Sequence, residues 1–495
     1  MIGYANPEFG RGGLLMKLRS LRSIAFILAC ALQMIAAEKK DIPEYIGSQA
    51  CLGCHPEKYS QWKPSNHATM LVPIINSTNL PLEISKAPAN LQPELRRAAY
   101  MVANSFFLAR DPATEHYQAL AVSYDRLKNI YVPSSFSLDW STACAGCHTT
   151  NMNTPSLTWS ESGIGCEACH GPGRDHALAK GDKSKIVSSN DADVCGQCHG
   201  GNDVKTGGNL MSDGTKWVVG FRPGMKLSEV KGIQLTPVDP AKTPPDSNVT
   251  ANHLRNYNMW AASPHNKALS LVAGNDRASA DCYGCHSAEG FAAKLQGKKV
   301  DATQRAAFSS ISCVACHDPH GSENPRQLKM ASEKLCVLCH SQEATLKGTG
   351  AKGIEETKSG HSGLTCVQCH MTEANHLMKV IRPDAADLAE KRADTCTSCH
   401  KNSTRKEQAA LLEQWQASYT QKMDALRTDL KTIDAALKQK PDLVNGELKG
   451  QLNAARGNLS VLARDGSKGA HNFAYATKVM DQAGNSLELV KAAMK

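Results

Sequence analysis

Eighteen of the nineteen cysteines in this 495-residue chain fall into nine copies of one pattern, Cys-x-x-Cys-His. The copies are Cys51/Cys54/His55, Cys144/Cys147/His148, Cys166/Cys169/His170, Cys195/Cys198/His199 and Cys282/Cys285/His286, followed by Cys313/Cys316/His317, Cys336/Cys339/His340, Cys366/Cys369/His370 and Cys396/Cys399/His400. Two thiols at this spacing can straddle one edge of a porphyrin and add across its two vinyl groups, and the adjacent His turns its imidazole onto one axial face of the iron. A lone Cys-x-x-Cys serves equally as half a zinc site or as a thiol–disulfide pair. Neither chemistry calls for a His after every second Cys, and all nine pairs have one. Nine covalently bound c-type haems are therefore expected.

Each iron has a second axial position. Nine of the eighteen histidines lie outside the motifs, enough for one distal ligand per iron. His67 follows the first motif in Trp62-x-x-Ser65-x-His67, and His176 follows the third in Gly171-Pro172-Gly173-Arg174-Asp175-His176. His253 and His265 precede the fifth, His320 follows the sixth in Asp318-Pro319-His320, His361 precedes the eighth, and His471 stands in Gly469-Ala470-His471-Asn472. His376 joins these as a candidate. His116 is left aside because it sits mid-segment without a turn signal. In an ordinary chain each would be a buried core histidine; in a chain this dense in haem motifs, distal ligation is the stronger expectation. No residue is singled out as catalytic.

The elements that position these groups follow from spacing. The first motif stands 93 residues before the second, motifs two to four follow at 22 and 29 residues, and an 87-residue gap precedes motifs five to nine, spaced at 31, 23, 30 and 30. This predicts an N-terminal tetrahaem module over 38–200, a Gly/Pro-rich linker over 201–250 and a pentahaem module over 251–402. Residues 403–495 carry no motif and read as long helices. Leu412, Trp415, Tyr419, Met423, Leu426, Leu430, Ile433 and Leu437 recur at three- and four-residue intervals, Pro441 breaks the stripe, and Leu448, Leu452, Ala455, Leu459 and Leu462 form a second. A third helix is expected from near His471. Such stripes predict helix packing or a subunit interface. The fold class is mainly α with much irregular chain, a haem-packed multihaem cytochrome c with a C-terminal long-helix bundle. Aromatic residues make up only 5% of the chain, as expected where porphyrins fill the core.

Arg19 and Arg22 precede an apolar run, Ile24 to Ala37, that reads as a secretory signal peptide over 1–37, too short to span a membrane. The odd cysteine, Cys30, leaves with it, or serves as a lipidation site. The expected location is exported, periplasmic or cell-surface. Removing the four basic and one acidic residues of 1–37 from the 56 basic and 47 acidic residues of the chain leaves 52 against 46, a net +6. Nine ferric haems add about −9 through their propionates, so the assembled protein is mildly acidic and offers no case for nucleic-acid binding.

Residues 45–200 resemble the tetrahaem cytochrome that receives electrons from hydroxylamine oxidoreductase, on Tyr45-Ile46-Gly47-Ser48-x-x-Cys51, the Trp62…His67 segment, and Gly163-Ile164-Gly165-Cys166 through Gly173. Residues 250–495 resemble the superfamily of pentahaem nitrite reductases and octahaem hydroxylamine oxidoreductases, on Cys316-His317-Asp318-Pro319-His320, His361 before Cys366, Cys369-His370-Met371 and His471-Asn472-x-x-Tyr475-Ala476. The Cys-x-x-Cys-Lys motif of the ammonia-forming nitrite reductases is missing. Two functions stay open. One is an electron carrier in respiration, linking a quinol-linked donor to a terminal reductase or extracellular acceptor. The other is an oxidoreductase acting on a small nitrogen or sulfur compound at one five-coordinate haem, for which the haem on His148 is the candidate. A homo-oligomer through the C-terminal helices is a further expectation.

Overall fold

The computed structural model describes residues 44–153, 156–200, 217–230, 233, 235, 237–245, 255–444 and 446–494. The signal peptide, Cys30, His253 and much of the linker expected at 201–250 lie outside the described residues. The chain divides into two units, residues 1–188 with 222–224, and 189–221 with 225–495. The fourth motif thus packs within the second unit, whereas spacing alone groups it with the first three.

The first unit holds an element that a purely helical reading omits. Strands β1 (Leu71–Pro73), β2 (Tyr100–Val102), β3 (Phe106–Arg110), β4 (Tyr117–Asp125) and β5 (Ile130–Pro133) form one antiparallel sheet in sequence order. Successive β-residues point to opposite faces, and Phe107, Ala109, Leu120 and Val122 turn inward onto Leu91 and Leu95 of the preceding segment. Ala103 and Asn104, both left-handed at φ 48° and 55°, make the tight turn between β2 and β3, a primed geometry that matches strand twist. Tyr131 locks the outer strand by donating its hydroxyl to the Leu82 carbonyl at 2.6 Å.

The second unit ends in three long helices, α1 (Arg405–Gln439), α2 (Gly446–Asp465) and α3 (Phe473–Ala493). The Thr404 hydroxyl accepts from the Glu407 amide and the Glu407 carboxylate accepts from the Thr404 amide, a reciprocal cap that starts α1. Pro441, which cannot continue a helix, opens a short 3-10 turn after it. Tyr419, Met423, Leu426 and Ile433 of α1 meet Leu452, Leu459 and Leu462 of α2 and Tyr475, Val479, Leu487 and Val490 of α3 in one buried cluster. Each such aliphatic side chain contributes about 1.5–3 kcal/mol on burial.

This bundle holds the segment carrying His361. The Asn458 amide accepts from the Lys352 N–H at 2.7 Å and donates to its carbonyl at 2.9 Å. The Tyr475 hydroxyl accepts from the Ala351 N–H at 2.7 Å, and Asn472 donates to the Thr357 carbonyl at 2.7 Å. Gly348, left-handed at φ 77°, lies so close to Thr357 that a Cβ there would stand 1.9 Å from its carbonyl oxygen.

Candidate haem centres

Eight of the nine motifs sit on or against a short helix, among them Cys166–His170, Asp193–His199, Ala280–His286 and Cys366–His370. The ninth, Cys396 to His400, is a turn set by buried Asp394, whose carboxylate accepts from the Cys396 and Thr397 amides at 2.7 and 3.0 Å. In the third motif the intervening Glu167 is buried. Its carboxylate accepts from the amides of Ile46, Gly47 and Gly173 at 3.0, 2.7 and 2.6 Å, tying the entry of the first motif to the third. The indole of Trp62 donates to Ile164, whose amide in turn donates to the His67 carbonyl, each at 2.9 Å. The first motif, isolated in sequence, is thereby packed beside the third.

Five motif histidines face a non-motif histidine. Ring centroids lie 6.3 Å apart for His55 and His176, 6.3 Å for His317 and His376, 6.0 Å for His340 and His265, 6.2 Å for His370 and His471, and 6.0 Å for His400 and His361. With metal–imidazole bonds of about 2.0–2.1 Å and about 1.1 Å from nitrogen to ring centre, two imidazoles on one metal stand about 6.3 Å apart. The residues therefore fit a haem iron between them, with both porphyrin faces capped. The first two pairs are near-parallel, at 18° and 28°, and the pairs of His265 and His361 are crossed, at 70° and 75°.

The second ring nitrogen is tied in most of these. His317 Nδ1 lies 2.8 Å from the Arg326 carbonyl, His370 Nδ1 3.2 Å from that of Met378, His176 Nδ1 2.9 Å from that of Asp182 and His376 Nδ1 2.9 Å from that of Ala374. Donating Nδ1–H to a carbonyl fixes the tautomer that leaves Nε2 free to ligate. Burial drives His265 and His361 below the ordinary imidazole value, helped by the facing imidazoles of His340 and His400. His376 is pushed down to about 4, again mainly by burial. All three are held neutral, the form a metal accepts.

The cysteines come together between motifs. Cys51 hydrogen-bonds Cys166 in the first unit. In the second, Cys195 bonds Cys313, Cys336 bonds Cys366, and Cys285 bonds Cys339. None of the eighteen described cysteines is in a disulfide. Each thiol stands in for the thioether that haem attachment makes of it, so these contacts report the closeness of attachment edges and not acidity. Among the described residues no three His, Cys, Asp or Glu side chains converge as a zinc site requires.

Not every attachment cysteine lies in the packed core that the spacing predicts. Burial pushes the Cys169 and Cys316 thiols up to about 11, as a core position should. By contrast, Cys54 and Cys399 are exposed, and Cys147 and Cys198 are only half-buried. These four correct the expectation of uniform burial. The physical reason is position: each is the second Cys of its motif, at the end of a short helix (Cys147, Cys198) or in an open turn (Cys54, Cys399). A side chain there is covered less by its own chain than by whatever is joined to it. Cys399 still lies near enough to Cys369 to raise that thiol, after burial, and its sulfur accepts from the Ser398 hydroxyl at 3.9 Å.

Other candidates have different surroundings. His320 Nδ1 lies 3.3 Å from Asp318 in the turn after the sixth motif. His116 Nδ1 lies 2.6 Å from Asp139, the residue that caps the helix Trp140–Ala143. Trp140 packs edge-on against His148 at 6.0 Å, and Trp159, Tyr117 and Tyr100 extend that aromatic cluster. Sequence reasoning misses Glu167, Asp394 and Asp465. The last is a carboxylate 2.6 Å from His471 Nδ1. A lone acidic residue near a motif carries no periodicity, and none of the three has a cue beyond nearness.

The motifs and the facing histidines define a multihaem c-type cytochrome. The doubled CXXCH motif matches residues 306–345, and the cytochrome c554 and c-prime family matches 113–171 and 250–318. The fold is similar to the outer cell wall cytochrome OcwA, with TM-score 0.74 and 25% identity over 90% of this chain and 100% of that one. It is also similar to an undecahaem cytochrome from the S-layer of Carboxydothermus ferrireducens, with TM-score 0.63 and 22% identity over 90% of this chain and 69% of that one. No curated protein matches the chain significantly. Among the described residues no helix is long and apolar enough to cross a membrane.

Proposed function

We propose that this chain binds nine haems, one on each Cys-x-x-Cys-His motif, and carries electrons along them outside the cell membrane, between a quinol-linked donor and an extracellular acceptor or terminal reductase. The observation that carries the reading is the set of five facing histidine pairs. In it His176, His376, His265, His471 and His361 are the distal ligands of the haems on His55, His317, His340, His370 and His400. Bound haem supplies reversible one-electron chemistry. Ligation by two histidines caps both axial positions, favouring transfer over substrate binding. The chain's own contribution is to bring attachment edges into contact: Cys51 to Cys166 joins motifs one and three. Cys195 to Cys313 joins four and six, and Cys285 to Cys339 and Cys336 to Cys366 join five, seven and eight. The exposed Cys54 and Cys399 put the haem edges of motifs one and nine nearest the surface, where electrons would enter and leave.

The cell-wall and S-layer origins of the two similar structures and the signal-peptide reading of 1–37 both support a surface location. Kinship with the nitrite reductases and hydroxylamine oxidoreductases rests on motif resemblance. Intact mass of the exported protein tests the reading, with nine haems and loss of 1–37 expected. Fewer haems, or stoichiometric zinc, would overturn it.

A second reading has its own observation. His116 is engaged by Asp139, so the haem on His148 would lack that histidine as a sixth ligand and would be open to a small substrate beside the Trp140 cluster. A high-spin charge-transfer band that disappears on replacing His148 would favour it; a fully low-spin native spectrum would dispose of it.

A further inference from the structure

The five facing pairs differ in what holds the far nitrogen, and one is unlike the rest. His471 Nδ1 lies 2.6 Å from the carboxylate of Asp465, where His176, His317, His370 and His376 engage backbone carbonyls at 2.8–3.2 Å. The Asp465 side chain is only 3% exposed, so water does not dilute the interaction. His320 has a carboxylate neighbour too, but Asp318 is 28% exposed and 3.3 Å away. The other Asp465 oxygen accepts from the Ser467 hydroxyl and, at 3.2 Å, from its amide. The Ser467 hydroxyl also receives the His471 amide at 3.2 Å, closing a small ring around the ligand.

The placement runs against local electrostatics. Asp465 is the last residue of α2, where the helix carbonyls already give a partial negative charge that disfavours an anion. A buried carboxylate there stands only because His471 and Ser467 donate to it. A neutral amide in that place could also accept from His471, and would avoid burying a charge. What the carboxylate alone provides is a charge-assisted bond, which is shorter and about twice as strong as a neutral one. Such a bond draws the Nδ1 proton away and makes Nε2 a stronger donor.

We infer that Asp465 is a positioning residue that gives His471 partial imidazolate character and thereby lowers the reduction potential of the haem on His370. A stronger axial donor stabilises the ferric over the ferrous state, and second-shell hydrogen bonding is one of the levers by which a protein sets haem potential. No bond is made or broken: one electron enters or leaves the iron, and the proton stays between His471 and Asp465. The inference rests on the proposed ligation of that iron by His370 and His471.

The test is a spectroelectrochemical titration of the full haem-loaded protein at one fixed pH, with the near-infrared magnetic circular dichroism of its low-spin ferric centres. Asp465→Asn keeps the shape and removes the charge. One centre should become more easily reduced, with its ferrous-to-ferric ratio rising about tenfold at a given potential, 59 mV for one electron. Its ferric charge-transfer band should move while all centres stay low-spin. Ser467→Ala frees the carboxylate to lean on His471 and should shift the same centre the opposite way, which keeps the inference testable if the first variant does not fold. Unchanged potentials in a low-spin variant would overturn it. So would a new high-spin signal in Asp465→Asn, which would mean that Asp465 only holds the ligand in place. His471→Ala separates the two layers: absence of a high-spin signal there would sink the axial assignment itself.

Discussion

Replacing Asn458 by Ala should loosen the segment that carries His361 without touching any proposed ligand. Asn458 is buried on α2 and makes two hydrogen bonds to Lys352, accepting from its amide and donating to its carbonyl. Each bond is worth about 0.5–1.5 kcal/mol net, and leaving a buried backbone group unsatisfied costs about 1–3 kcal/mol. Because Ala351 keeps its bond to Tyr475 and Thr357 keeps its bond to Asn472, the loss should stay local, at about 2–4 kcal/mol. At 1.36 kcal/mol per factor of ten, that is a roughly 30- to 900-fold faster opening. Hydrogen exchange followed by mass spectrometry on peptides spanning 346–362 reads this directly. Peptides from α1, joined to α2 through the apolar cluster and not through Asn458, should change little. The reasoning fails if the 346–362 peptides exchange at the wild-type rate, or if the whole bundle loses protection together.

Glu167→Ala should remove the acceptor for the Ile46, Gly47 and Gly173 amides and cost roughly 2–4 kcal/mol, seen as early proteolysis near residue 46; a wild-type digestion pattern would contradict this. His376→Ala should open the sixth position on the iron of His317 and raise a high-spin band for one haem, while an unaltered low-spin spectrum would remove His376 from the ligand set. Acid should act on the same residue. A histidine held below 6.5 stabilises the fold in its neutral form, so that stability is complete above about 6.5 and is lost as the pH falls through about 4. The iron and the proton compete for one lone pair, so the low-spin spectrum should persist to near pH 4 and give way below it. A high-spin transition already at pH 6 would refute the assignment.

The attachment chemistry is legible because it is local: two thiols and an imidazole within five residues declare themselves by spacing. How deeply each thiol is buried is not, and the exposed Cys54 and buried Cys169 occupy the same place in one motif. The helical stripes of α1 and α2 are legible for the same reason as the motifs, since Tyr419, Met423, Leu426 and Ile433 repeat with the helical period and are buried together. Other features depend on contacts far apart in sequence. The pairing of motif one with motif three runs through Glu167 and Ile46, 121 residues apart. The facing of His265 with His340, or His370 with His471, depends on how loops fold back around a cofactor, which no periodicity records. The sheet from Leu71 to Pro133 escapes a helical reading although Phe107/Ala109 and Leu120/Val122 alternate. Its β2–β3 turn uses Ala103-Asn104 in place of the Asn-Gly that usually announces a hairpin.

The central claim is that haem irons lie between paired imidazoles. Iron-edge anomalous diffraction from crystals of the haem-loaded protein tests it most directly. Nine anomalous peaks are predicted, one of them midway between each of the five facing pairs: His55 and His176, His317 and His376, His340 and His265, His370 and His471, and His400 and His361. Fewer than nine peaks, or peaks displaced from the midpoints of those pairs, would contradict the account.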